Sequence, residues 1–375
     1  TLSSSSAASD VYKRQEKYRE QLVTASSEKY ACTYLYTNLL GNEAGRMIYD
    51  GDILIAQKGR LIGHNTRFSF KPFNILYCDV NFDLQTSSLN VMKDFEGKLE
   101  EMSQVLPLAL FDYLIKSKSK GFVLSLSGGA DSGTIAMMVR RMVDLAIKEL
   151  GIAILKEKLD LPTNILNAKD IMASIMITAY QGTQNSSVET ASAARKLAEF
   201  IGSTHYEWDI DIQVKGYCDT IENVIGRKLT WDQDDITLQN IQARSRSPII
   251  WMLANINHSL LLTTSNRSEG DVGYTTMDGD TSGCISPIAA VDKYFILEWL
   301  KYAEKTFNYT ALNQVNKLVP SAELRPKDKE QNDETDLMPY QVLVEIERWA
   351  IQHKYPPLKI NKIMEPKKPS DNKIR

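Results

Sequence analysis

Short continuous apolar runs and helical apolar repeats alternate through the middle of the chain. Four apolar residues between positions 122 and 126 predict a buried strand, and apolar residues at helical spacing from 135 to 146 predict a helix. Between them lie Ser127, Gly128 and Gly129, followed by Asp131. Adjacent glycines permit a sharp turn and a close backbone approach, and a helix start presents free N–H groups. This stretch therefore predicts a strand, an anion-binding loop and a helix.

The same alternation continues to about position 320. Further strands are predicted at 171–180, 204–210 and 260–264, and a long helix at 236–258. Ser186 and Glu189 form a capping box that predicts the start of another helix, which Gly202 ends. Strands that alternate with helices predict an α/β fold with a doubly wound, mostly parallel sheet, in which ligands bind at the carboxyl ends of the strands.

The part of the chain before this sheet has a different pattern. Residues 16–85 contain short alternating runs at 34–38, 52–56, 60–63 and 75–80, which predict β structure. Residues 86–120 read as a linker followed by a packing helix with one apolar face. Residues 1–15 are low in complexity and resemble sequencing read-through, so we expect a non-native or disordered leader.

Composition narrows the classes of function. The chain has 44 Lys and Arg against 47 Asp and Glu, which gives no electrostatic case for nucleic acid or for an anionic membrane. Its four cysteines form no Cys-x-x-Cys pair, a pattern that suits a reducing compartment and favours neither disulfides nor zinc. No apolar run is long enough to cross a bilayer. We expect a soluble cytoplasmic enzyme.

The chemistry of the loop is narrowed by what it lacks. A kinase-type phosphate loop needs a lysine after its second glycine, and the dinucleotide fingerprint needs spaced glycines; this loop has neither. The remaining pattern, Ser-Gly-Gly-x-Asp-Ser, resembles the pyrophosphate loop of the ATP pyrophosphatase superfamily, which has the adenine nucleotide alpha hydrolase-like fold. An ordinary glycine-rich turn is the structural alternative.

The ordered set of motifs resembles the glutamine-dependent NAD⁺ synthetase family. It consists of the loop, Gln181-Gly-Thr-Gln-Asn-Ser-Ser187, Asn240-Ile-Gln-Ala-Arg-Ser-Arg246, Thr263-Thr-Ser-Asn-Arg-Ser-Glu269, and Ser286-Pro-Ile ahead of Lys293. Residues 34–70 resemble the C-terminal end of a nitrilase-type glutamine amidohydrolase domain. The resemblance implies an NAD synthetase domain over 121–375, preceded by a truncated nitrilase-like α/β remnant.

The resemblance also implies the reaction and its residues. ATP adenylates the carboxylate of deamido-NAD⁺, pyrophosphate leaves, and ammonia, which the family takes from glutamine, displaces AMP. Asp131 and Glu269 are implied as Mg²⁺ ligands, and Asp131, Glu269 and Lys293 as catalytic residues. The implied ATP contacts are Ser127, Gly128, Gly129, Ala130, Asp131, Ser132, Gly133, Thr134, Thr264, Lys293 and Ser321. Arg244, His353 and Lys354 are the implied deamido-NAD⁺ contacts.

Two positions depart from the family pattern, which often has lysine at Met277 and aspartate at Cys284. The family's catalytic Glu, Lys and Cys of glutamine hydrolysis precede residue 34, and Cys32 is more simply a small buried residue. We therefore expect this chain to use free ammonia. A dimer of synthetase domains is expected, with Ile249, Ile250, Trp251 and Leu253 as candidates for its interface. Residues 327–336 are predicted to form a mobile loop over the nucleotide, and the last ten residues to be disordered.

Two other functions stay open: another pyrophosphate-loop enzyme that forms AMP, and a nucleotide-binding module without catalysis.

Overall fold

The computed structural model describes residues 2–3, 15–43, 47–82, 89–92, 95, 97–318, 321, 323–326 and 332–365. Most of the predicted leader, residues 327–331 of the predicted mobile loop, and the ten C-terminal residues lie outside this range. Within it, no helix is both long enough and apolar enough to span a membrane.

A six-stranded sheet forms the centre of the molecule. The strands of all sheets in the described residues are β1 Leu2–Ser3, β2 Thr33–Thr37, β3 Leu40–Glu43, β4 Met47–Asp50, β5 Ile53–Gln57, β6 Arg60–His64, β7 Asn90–Val91, β8 Phe122–Ser125, β9 Met176–Gly182, β10 Thr204–Asp209, β11 Leu260–Leu262 and β12 Ile285–Ser286. The order in the central sheet is β1-β12-β11-β8-β9-β10, and every pairing is parallel. The predicted parallel α/β sheet is confirmed.

Helices cover both faces of this sheet. The α-helices of the described residues are α1 Gln15–Lys29, α2 Lys98–Ser117, α3 Ala130–Leu150, α4 Ile152–Lys158, α5 Ala168–Ile175, α6 Val188–Ile201, α7 Asp211–Ile225, α8 Asp235–Ile256, α9 Arg267–Val272, α10 Lys293–Thr306, α11 Leu312–Val315, α12 Asp333–Asp336, α13 Tyr340–Glu347 and α14 Pro357–Met364. Successive β8 side chains point to opposite faces. Leu124 joins a large core with α2, α3, α6 and α10, whereas Val123 packs with Ile250 and Ala254 of α8.

Three predictions about secondary structure were wrong. Residues 171–175 form the end of α5 rather than a strand, because Asn167 caps a helix there by accepting hydrogen bonds from Lys169 N and Asp170 N. Helix α6 is capped by Ser187, whose Oγ accepts from Thr190 N at 3.1 Å, and not by Ser186. The run at 75–80 is not a strand in the structure.

The N-terminal segment is bound closely to the rest of the chain. It forms a four-stranded sheet, β2-β5-β6-β7, a separate β3-β4 ribbon and helix α1, which the sequence pattern did not predict. Arg67 Nη1 donates to Glu101 Oε1 of α2 at 2.8 Å, and Phe70 N donates to Glu149 Oε2 of α3 at 2.7 Å. Phe68 and Phe70 belong to the same core as the central sheet.

Candidate active site

The loop between β8 and α3 takes the shape that its glycines predict. Leu126 N still donates to Ala179 O of β9 at 2.8 Å, and the chain then turns away from the sheet. Gly128 has φ of +84°, and a Cβ at this position would lie 2.2 Å from the carbonyl oxygen of Thr190 in α6. Glycine is required there because the backbone is left-handed and also meets a neighbouring helix.

Helix α3 begins at this loop without a side-chain cap. Gly129 is its N-cap residue and has extended backbone angles, so the N–H groups of the first turn have no capping acceptor. Ser127 Oγ and Ser132 Oγ lie 3.0 Å apart, and Ser127 Oγ also accepts from Gly129 N at 3.3 Å. Free N–H groups and the Ser127 hydroxyl at a helix N-terminus make a site suited to an anion.

Three charged side chains meet beside the loop. The Lys293 ammonium lies 2.5 Å from Asp131 Oδ2 and 2.9 Å from Glu269 Oε1. The lysine side chain is 4% exposed, and those of the two acids 17% and 15%. The sequence resemblance assigned these residues to one site, and the fold brings them together.

Capped helix starts fix the positions of Glu269 and Lys293. Asn266 caps α9 by accepting from Glu269 N at 3.0 Å, and its Nδ2 donates to Asp131 Oδ1 at 3.1 Å. One asparagine therefore contacts both segments that carry the acids. Asp292 caps α10 by accepting from Phe295 N at 2.7 Å, which places Lys293 at the first position of that helix.

The electrostatics of the three groups are coupled. Burial, together with the Asp131 carboxylate, raises the pKa of Glu269 from 4.5 to about 7. Burial alone would lower the pKa of Lys293, but attraction to Asp131 and Glu269 raises it well above 10.5. Lys293 is therefore charged at neutral pH and offsets the negative charge of the acids.

The three residues lie at the wall of a cleft of about 270 Å³. Eight residues predicted from the sequence line it: Ser127, Gly129, Ala130, Asp131, Thr264, Glu269, Lys293 and Ser321. Ser132 and Thr134 are buried behind the loop, and neither they nor Gly128 and Gly133 line the cleft. These four shape the loop and helix rather than the cleft wall.

The residues expected to contact deamido-NAD⁺ lie elsewhere. Arg244 is exposed on α8, where its Nε donates to Met277 O at 3.0 Å. His353 and Lys354 are exposed after a π-helical turn at Arg348–Gln352, and the His353 ring lies 4.8 Å from that of Trp349. None of the three lines the cleft.

Several cleft residues were missed by the sequence reasoning, Arg246 foremost among them. Its Nε donates to Gln181 O at 3.3 Å, and desolvation lowers the pKa of its guanidinium despite the nearby Asp280. The signal for Arg246 in the sequence was its position two residues beyond Arg244 in the same motif, because that spacing places the two side chains on different faces of α8. Glu323 also lines the cleft and accepts from Thr190 Oγ1 at 2.9 Å.

The two positions that depart from the family pattern differ in environment. Met277 is 68% exposed at the surface. Cys284 is half-buried, packs against both cores, and donates from its backbone N to Leu261 O at 2.7 Å. Its side chain therefore contributes to packing between β11 and β12.

The acids suit a metal that arrives with a phosphate ligand. Among the described residues, no three His, Cys, Asp or Glu side chains form a group able to hold a metal ion. Mg²⁺ is commonly held by one or two carboxylates together with substrate phosphates and water. Asp131 and Glu269, beside an anion-binding helix start, fit that donor set.

Comparison with known proteins assigns the chain to a family. A family model described as NAD synthase matches residues 102–374. The chain belongs to the NAD synthase family. It is 31% identical over 373 residues to a glutamine-dependent NAD(+) synthetase of Oryza sativa subsp. indica, an alignment that covers 83% of this chain and 51% of the relative. The chain thus spans about half the length of such relatives.

Solved structures of NAD synthase relatives share the fold. The crystal structure of a glutamine-dependent NAD(+) synthetase from Cytophaga hutchinsonii is 47% identical, with a TM-score of 0.81, and the match covers 96% of this chain and 58% of that one. NMN synthetase from Francisella tularensis is 22% identical, with a TM-score of 0.51, over 73% of this chain and 98% of that one. At that identity the second comparison concerns the fold alone.

Proposed function

We propose that this chain catalyses the ATP-dependent amidation of deamido-NAD⁺ to NAD⁺. The carboxylate of deamido-NAD⁺ attacks the α-phosphorus of ATP, pyrophosphate leaves, and ammonia then displaces AMP from the acyl adenylate. The observation that carries the proposal is the meeting of Asp131, Glu269 and Lys293 at the uncapped start of α3, in a chain of the NAD synthase family.

The first step creates a leaving group whose negative charge must be balanced. The N–H groups of the first turn of α3 and the Ser127 hydroxyl are placed to donate to phosphate oxygens. The Lys293 ammonium supplies positive charge from the start of α10. Bound through Asp131 and Glu269, Mg²⁺ would further neutralise the phosphates.

The placement of this cation favours release of pyrophosphate over transfer of the terminal phosphoryl group. A kinase-type loop carries its lysine within the loop, where it binds the terminal phosphates. In this chain the loop has Asp131 and Ser132 after its glycines, and the cation comes from a residue 162 positions away. We therefore infer AMP and pyrophosphate as products.

A second copy of the chain would complete the binding site for deamido-NAD⁺. Arg244, His353 and Lys354 are exposed outside the cleft, as residues that serve a site across an interface would be. Helix α7 has no buried residue and leaves Val224 76% exposed, and α8 leaves Ile256 72% exposed. Ile250, expected at the interface from sequence, lies in the core instead. We propose that α7 and the end of α8 pair with a second copy.

As a 375-residue polypeptide, the chain is proposed to draw on free ammonia. Residues 34–70 resemble the end of a nitrilase-type glutaminase, whose catalytic groups precede them in that family. Cys32 lies in the turn between α1 and β2, and among the described residues no basic side chain hydrogen-bonds to it. Attack on an acyl adenylate needs an amine nearby, whatever its source.

The test is to follow NAD⁺ formation with ammonium chloride or glutamine at equal concentration, in protein freed of ammonia and glutaminase. We expect NAD⁺ from ammonium chloride and none above background from glutamine. Cys32→Ser should behave as the parent chain does. Equal rates from both sources, lost in Cys32→Ser, would refute the assignment. Nicotinate mononucleotide in place of deamido-NAD⁺ tests the acceptor, and preferred use of it would assign a different substrate.

A further inference from the structure

The Lys293 ammonium contacts the carboxylate oxygens that a metal ion would need to coordinate. Its Nζ lies 2.5 Å from Asp131 Oδ2 and 2.9 Å from Glu269 Oε1. Mg²⁺ coordinates carboxylate oxygens directly, at about 2.0 to 2.1 Å. The ammonium therefore sits where a divalent cation shared by the two acids would sit.

The surroundings hold the ammonium in that place. Asp131 Oδ1 accepts from Asn266 Nδ2 at 3.1 Å, which leaves Oδ2 directed at Lys293. The Lys293 side chain is only 4% exposed, and its Nζ lies 5.8 Å from the centre of the Tyr340 ring. The ammonium is thus largely shielded from bulk water but faces the cleft, where a phosphate oxygen could receive it.

We propose that Lys293 reserves the metal site, so that a divalent cation binds the two acids only together with a nucleotide. A monovalent and a divalent cation on the same pair of carboxylates repel each other strongly where little water screens them. Phosphate oxygens at the start of α3 would receive Lys293 and remove that repulsion. Before the metal arrives, Lys293 holds the Asp131 and Glu269 carboxylates side by side. The inference rests on the proposed function, which makes Asp131 and Glu269 the metal ligands.

The test measures binding of Mn²⁺, as a probe for Mg²⁺, by the electron paramagnetic resonance signal of free Mn²⁺. Nucleotide-free parent protein should show no saturable site in the micromolar range. Lys293→Met should gain a nucleotide-independent site that binds Mn²⁺ at least tenfold more tightly than the parent protein does, because the competing charge is gone. Adding Glu269→Gln to that variant should abolish the gain. Lys301→Met is the matched control, since Lys301 lies on the same helix but is exposed and paired with Glu298.

A Mn²⁺ affinity in Lys293→Met equal to or weaker than that of the parent would overturn the inference. If Lys293→Met does not fold, as judged by circular dichroism, the parent protein still decides. A saturable micromolar site in the absence of nucleotide refutes a reserved site, and a site that forms only with α,β-methylene ATP supports it. Absence of a Mn²⁺ site in every sample, including the one with the analogue, would remove the metal assignment of the proposed function itself.

Discussion

Replacement of Gly128 by alanine tests whether the loop depends on the contact between its backbone and α6. Gly128 has φ of +84°, and an ideal Cβ would lie 2.2 Å from Thr190 O. A left-handed backbone costs a residue with a side chain about 1 to 2 kcal/mol. Ordinary van der Waals contact between a Cβ and a neighbouring heavy atom begins near 3.4 Å. The backbone must therefore separate from α6 by about 1 Å, and overpacking of this kind costs about 1 to 3 kcal/mol.

Together these terms predict that Gly128→Ala lowers the free energy of unfolding by about 2 to 5 kcal/mol. A shift of about 1 Å in a phosphate-binding loop also predicts a loss of roughly 100-fold in kcat/KM for ATP. The assays are urea unfolding followed by circular dichroism, and steady-state formation of NAD⁺ with ammonium chloride.

Gly129→Ala is the matched control. Gly129 has φ of −83°, and the nearest atom to an added Cβ is Ser127 Oγ at 3.4 Å. Because only the N-cap preference is affected, its stability should fall by about 1 kcal/mol or less. Equal unfolding free energies for the two alanine variants would refute the argument from the contact with Thr190.

Three further predictions concern other parts of the molecule. Asn266→Ala should lower stability by about 1 kcal/mol through loss of the α9 cap, and Asn266→Asp should keep the cap yet lose activity because it places a third carboxylate beside Asp131; equal activity of the two would contradict this. Burial lowers the pKa of His205 below 6.5, so the free energy of unfolding that the neutral imidazole contributes above pH 6.5 is lost as pH falls through the folded-state pKa. Urea unfolding between pH 7.5 and 5 should therefore show a smaller pH dependence for His205→Gln than for the parent chain. Val224→Glu should convert a dimer to a monomer in light scattering, whereas Val188→Glu, equally exposed on α6, should not; a monomeric parent at micromolar concentration would refute the interface.

The sequence predicted the fold well where local and tertiary signals agree. The strand, loop and helix from 122 to 150 were correct because the glycines, the apolar run and the helical repeat all indicate the same elements. At 171–175 the continuous apolar run fitted either a buried strand or a buried helix. The cap at Asn167 decided for a helix, and periodicity by itself could not.

The candidate site was only partly accessible to sequence reasoning. Asp131 is recognisable within its loop, but Lys293 lies 162 positions away, and no local pattern links the two. Its place at the site followed from the family resemblance. The contact of its ammonium with both acids required the packing of α10 against α9 and α3. Arg246 was missed because a helical arginine reveals its orientation only once α8 is docked against β9.

The most direct test of the central claim is a single turnover of MgATP with ammonia omitted. With deamido-NAD⁺ present, the account predicts release of one pyrophosphate per site and, once ammonia is added, AMP. Without deamido-NAD⁺ it predicts neither product, and Asp131→Asn should be inactive in both conditions. Production of ADP and phosphate, or pyrophosphate release by Asp131→Asn at the rate of the parent chain, would contradict the role given to this loop and its acids.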